Sequence, residues 1–274
     1  MRSSFLCFIL LVLLSSGIAR AQVLQKDTPL VLEELFNRLI DNYNDSARIG
    51  INDSIRLIIE SYAKSDTVFT TRFTNLRYLG QITSPDSLLK IITWNLVLEN
   101  GPGRYFCYLI RRDSPGKKSK VYSLSTRYNE HPVKTDTTYT ISDWYGALYY
   151  DIKPYVTDNK PCWVMLGLDY GNPDISRKLI EVLSFTPQDS LIFGRKWFSS
   201  GEGTKYRAVF EYASNAAMSL RFKSDSSIIF DHLVPFSPAK KDNRQYYGPD
   251  YSVDAYNFEN GIWKLAIDVD ARNQ

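Results

Sequence analysis

The chain has 274 residues, with 33 Lys and Arg against 30 Asp and Glu, and only two His and three Cys. So even a balance gives no basic footprint for nucleic acid, whose binding rests on clustered Lys and Arg. No two Cys or His stand at paired-ligand spacing, which argues against zinc. The sequence also lacks a G-x-S-x-G elbow, a Walker loop, a dinucleotide fingerprint and an H-E-x-x-H pair.

The first residues read as a targeting device. Arg2 precedes the apolar run "FLCFILLVLL", Phe5 to Leu14, which is too short to span a bilayer. A Ser-Ser-Gly break and "ARA" follow, so residues 1–21 are expected to be a signal peptide cut after Ala21. Cys7 lies inside the apolar run, against a lipoprotein. Without Arg2 and Arg20, 31 basic residues face 30 acidic ones. No later segment approaches membrane-spanning length, so the mature chain from Gln22 is expected to have no transmembrane segment.

Residues 22–65 carry helical periodicity. Leu32, Leu35, Phe36, Leu39 and Tyr43 recur at three- and four-residue steps behind a Thr28-Pro29 start. A second helix is predicted over Asp53 to Lys64, with Ile55, Ile58, Ile59 and Tyr62 as its stripe and Asn52 or Asp53 as its cap. "NDSARIGIND" then reads as the connector of a helical hairpin. Over 66–274 the period becomes two. Strand-like segments such as "LLKIITWNLVLE", "RYFCYLIRR", "WYGALYYDI", "CWVMLGLDY", "SIIFDHL" and "IWKLAIDVD" alternate with turns such as "NGPG", "SPGKK" and "SGEG". The expected fold is mainly β, a long antiparallel meander closed as a sandwich or barrel-like body, or else propeller-like, behind the hairpin. A single core is expected. The basic knot "RRDSPGKKSK", Arg111 to Lys120, reads as a solvated hairpin tip.

Candidate chemistry is sparse. The opening of "YYGPDYSVDAY" sets Asp250, Ser252 and Asp254 on one face of an extended segment, a ladder that suits calcium; the plainer reading is a turn at Gly248-Pro249 and a half-buried strand. The match to an EF-hand loop fails at Ala255 and Gly261. Asp231 precedes His232, but adjacent strand residues face opposite ways, so Asp231 is badly placed to orient that ring. Carboxylate-driven hydrolysis would draw on two of Asp231, Asp250, Asp254, Asp268, Asp270 and Glu211. His131 reads as an exposed loop residue. Trp94 and Trp263 are phased with core residues. Trp144, flanked by Tyr145, Tyr149 and Tyr150, is freer and is a candidate for a surface patch that stacks on a sugar. Cys107 and Cys162 remain after cleavage; a disulfide between them and two buried thiols are both open, since Cys162 alternates in phase with Val164 and Leu166.

The segments "SDWYGALYYDI", "RKLIEVLSF", "FEYASNAAMSLRF", "IIFDHLVPF" and "YYGPDYSVDAY" resemble a group of exported proteins from Bacteroidota-type bacteria. The resemblance implies a Gram-negative periplasm or cell surface and carries no activity, cofactor or site residue with it. Two functions are expected: a non-enzymatic envelope protein that binds a protein partner or a glycan, or an extracytoplasmic hydrolase of a glycan or ester using Asp231 with Asp250 or Asp254. A cleft gathering the acids would favour the hydrolase; acids scattered over strand ends would favour the binding protein.

Overall fold

The structure is a computed structural model, and it describes residues 28–100, 103–127, 132–157, 159–170, 172–201 and 203–270. The expected signal peptide and His131 lie outside the described residues. The chain divides into two compact units, one ending at Tyr78 and the other running from Leu79.

The first unit holds two helices, α1 over 28–41 and α2 over Asp45–Ala63, joined through residues 42–44. α2 begins at Asp45, not at Asp53, so most of the expected connector is helix. Asn44 is the cap: its side chain accepts from Ala47 N at 3.0 Å, in place of the expected Asn52 or Asp53. Two residues hid this start. Arg48 sits on the buried stripe with Ile51, Asn52, Ile55 and Ile59, its Nε donating to the Asn42 carbonyl, so a charge breaks the apolar rhythm. Gly50 faces open space and reads as punctuation. After α2 the Tyr62 hydroxyl donates to the Thr71 carbonyl at 2.6 Å, and its ring lies 4.3 Å from that of Phe73.

The second unit is mainly β and, among the described residues, antiparallel but for one pair. Its first sheet runs β1 (Gly80–Thr83), β2 (Leu89–Leu96), β3 (Arg104–Arg111) and β4 (Lys120–Arg127) in that order. The second has the order β11 (Ala208–Ala213), β7 (Ile175–Phe185), β6 (Lys160–Asp169), β5 (Leu148–Thr157), with β8 (Leu191–Phe193) also on β7. The third has the order β10 (Thr204–Lys205), β9 (Phe198–Ser199), β15 (Ile262–Ala266), β14 (Tyr247–Glu259), β13 (Ser227–Pro235), β12 (Leu220–Ser224), in which β15 and β9 run parallel.

Two cores, not one, hold this unit together. Leu89, Ile91, Leu109 and Leu124 of the first sheet pack with Trp163, Met165, Leu179 and Leu183 of the second. The alternate residues of the same strands, Val164, Leu166, Ile180 and Val182, pack with Leu220, Ile228, Phe230 and Trp263 of the third. The second sheet is therefore the middle of three layers, and both faces of β6 and β7 are largely buried. That is why "CWVMLGLDY" and "KLIEVLSF" are near-continuous apolar runs rather than half-polar alternations. Cys107 belongs to the first core and Cys162 to the second, and both are buried thiols with no disulfide between them. The disulfide reading is thereby corrected: the middle sheet's alternation turns Cys162 away from the core that holds Cys107. Burial pushes the Cys107 thiol up.

One polar cluster is sealed inside. Arg207 and Glu181 are both fully buried, with Arg207 Nε donating to Glu181 Oε2 at 2.8 Å and the Tyr145 hydroxyl donating to the same oxygen at 2.8 Å. The guanidinium also donates to the carbonyls of Thr137 at 2.8 Å and Phe193 at 3.1 Å, and to that of Lys134. It thus ties the irregular 132–147 segment to β7 and β8. The basic knot at Arg111–Lys120 is not merely solvated: Arg111 and Lys120 converge on Asp189. Burial would push Asp189 up, but those two residues and Tyr122 hold its carboxyl below the usual range.

Candidate functional site

The site grows out of the β13–β14 ladder. Phe230 is paired across it with Asp254, and His232, two residues on, shares Phe230's face. His232 and Asp254 therefore meet on a diagonal, and His232 Nδ1–H donates to Asp254 Oδ2 at 2.7 Å. The other carboxylate oxygen, Asp254 Oδ1, accepts from Asp268 N at 3.0 Å. Asp254 is buried, while a third of the imidazole is exposed (32% against 8%). The hydrogen bond to Asp254 raises the His232 pKa above its ordinary value; partial burial opposes this, and the charges of Asp254, Asp250 and Asp268 add to it.

The ladder breaks beside the ring. Asp231 pairs with Val253 and Leu233 with Pro249, so His232 alone faces Asp250, Tyr251 and Ser252. Tyr251 takes φ 74° and is 99% exposed. The expected one-sided ladder of Asp250, Ser252 and Asp254 is thereby undone, because a left-handed residue in the middle resets the alternation. Asp250 Oδ1 instead accepts from Ser252 N at 3.0 Å and from Ser252 Oγ at 2.7 Å, closing a local turn. Among the described residues, no three His, Cys, Asp or Glu side chains are placed to share a metal ion.

His232 and Asp254 line a pocket of about 370 Å³ together with Asp231, Glu211 and Arg244. Its aromatic wall is Phe210, Phe230 and Tyr256: the first two rings are 4.5 Å apart and the last two 5.6 Å. Burial and the Asp254 charge push the Tyr256 phenol up to about 12, so it remains a neutral hydroxyl. Asp231 Oδ2 accepts from Ser219 N at 2.7 Å. Glu211 Oε1 accepts from Arg177 Nε at 2.6 Å, and Arg177 Nη1 donates in turn to Asp169 Oδ2 at 3.1 Å. Asp169 Oδ1 takes the Tyr105 hydroxyl at 2.6 Å. Arg177 and Asp169 are almost wholly buried, so this chain fixes Glu211 from behind.

Of the residues singled out in the sequence, the pocket gathers Asp231, His232, Asp254 and Glu211, and leaves Asp250 and Ser252 outside its wall. Trp144 is not a surface residue. It is 2% exposed, its indole N–H donates to the Tyr149 hydroxyl at 3.1 Å, and its ring stacks 6.4 Å from Phe193. The sugar-stacking reading of Trp144 is corrected accordingly: the segment before β5 folds inward. Arg244 went unnoticed in the sequence because it sits in a short turn, Arg244–Tyr246, with no periodicity to mark it.

No family model matches the chain, and neither a curated protein nor a solved structure matches it.

Proposed function

We propose that the chain is an exported, non-enzymatic binding protein of a Gram-negative envelope, and that its ligand, a glycan, sits in the pocket of His232 and Asp254. One observation carries this reading. Each carboxylate in the wall already accepts from a protein donor: Asp254 from His232 and Asp268 N, Asp231 from Ser219 N, Glu211 from Arg177. Groups so committed orient a polar ligand against an aromatic wall, as sugar sites require, and are poorly suited to attack one. Calorimetric titration with maltotriose and with an amino-sugar trisaccharide tests it. Heat that is lost in His232→Ala and in Glu211→Gln is the expected result; no heat with any saccharide would remove the glycan.

A second reading follows from the gathering of Asp231, Asp254 and Glu211 in one cleft, and from the orientation of His232 by Asp254. An imidazole fixed through Nδ1 keeps its other nitrogen for general acid–base work on an ester or glycoside. Turnover of p-nitrophenyl esters or glycosides that disappears in His232→Ala would establish it.

A further inference from the structure

A second hollow, of about 830 Å³, adjoins the first and shares Pro132, Val133 and Thr135 with it. Three lysines line it: Lys134 from the irregular segment, Lys196 ahead of β9, and Lys205 at the end of β10. The Thr135 carbonyl accepts from Tyr206 N at 2.8 Å, which fixes the shared wall. Several basic residues elsewhere in this unit have acidic partners: Arg111 and Lys120 share Asp189, Lys153 has Asp225, Lys264 has Glu259. Among the described residues, Lys134, Lys196 and Lys205 have none, although Asp136 is in the same lining. Like charges drawn around one concavity repel, and they raise the local concentration of an anion that neutralises them.

We propose that this hollow binds the acidic group of an anionic saccharide whose neighbouring sugar lies in the His232 pocket. The proposal rests on the pocket reading above and narrows it to acidic glycans. Lysines supply point charges with rotatable donors, which suit a carboxylate or a phosphate without demanding the planar fork that Arg provides.

The test is calorimetry on the full-length chain with trigalacturonate, with a phosphate-bearing trisaccharide and with neutral maltotriose. Either acidic ligand should bind at least about tenfold more tightly than maltotriose at low salt, and lose most of that margin near 0.15 M salt, where the Debye length is about 8 Å. A Lys134→Glu, Lys196→Glu double variant should weaken the acidic ligand by about tenfold or more and leave maltotriose unchanged. Equal affinity for acidic and neutral sugars, or a double variant with no effect, overturns the proposal. Equal binding of single-stranded DNA or of anionic lipid vesicles overturns it in favour of an unselective polyanion surface. The two readings fail separately: lysine-dependent binding that His232→Ala leaves intact removes the pocket, whereas His232-dependent binding without acid preference removes the lysine hollow.

Discussion

At the level of single residues, the charge on His232 is the most consequential detail. Its folded-state pKa is raised, so its stabilising contribution is full below the ordinary value near 6.5 and is lost as pH rises through the folded value. Removing the ring should therefore matter most in acid. His232→Ala is expected to cost up to about 1 kcal/mol more at pH 5 than at pH 9, where the neutral ring still donates to Asp254, read as the gap between variant and parent melting temperatures. Asp250 tells a different story, because its oxygen is spent on Ser252. Melts in EDTA and in excess calcium are expected to coincide, and a calcium-dependent rise lost in Asp250→Ala would show otherwise. The sequence presented His232 and Asp254 as separate candidates and could not join them. Their contact spans 22 positions and depends on strand register and on a bulge, neither of which local pattern encodes.

The elements were easier to read than their edges. β2, β3, β6 and β7 announce themselves through β-branched and aromatic runs, since their residues must suit a pleated, buried surface. "WYGALYYDI" misled: β5 begins only at Leu148, and Gly146, at φ 90°, turns the preceding chain against the first sheet. A Cβ on Gly146 would stand 2.6 Å from Thr126 Cγ2 and 2.8 Å from Tyr105 Cδ2. Gly146→Ala is expected to destabilise by about 2–3 kcal/mol through conformation and crowding together, measurable by denaturant titration. The Glu181–Arg207 pair was invisible for another reason: an acid in a strand and a base beyond its partner look like ordinary surface residues. Arg207→Met, which leaves Glu181 buried without its cation, should cost about 3–5 kcal/mol, and pairing it with Glu181→Leu should restore a good part. A double variant no better than the single would show that the carbonyl contacts of Arg207 matter more than the pair.

Over the whole β unit, antiparallel β class was legible because period-two patterning accumulates over many strands. The layering was not. A buried strand that feeds one core and a strand that feeds two differ only in whether the second face is also apolar, and short runs leave that open. The same ambiguity kept the cysteines unresolved, since either arrangement places Cys162 among apolar neighbours. In the native protein both thiols are expected to resist an aromatic disulfide reagent and to react together once denaturant is added. A melting temperature lowered by reductant would contradict two unbridged thiols.

The bulge opposite His232 has one more consequence. Residues Asp250 to Ser252 form a short length of strand whose bookkeeping is already out of step with its neighbour, and whose central side chain touches solvent on all sides. Adding or deleting a residue there need not rotate Tyr256 or Phe258 off the core, because the slack is taken up before the ladder resumes at Val253. The rim beside the pocket is thus free to vary in length and chemistry while the wall behind it stays fixed, so selection or an engineer can alter that edge without renegotiating how the chain folds.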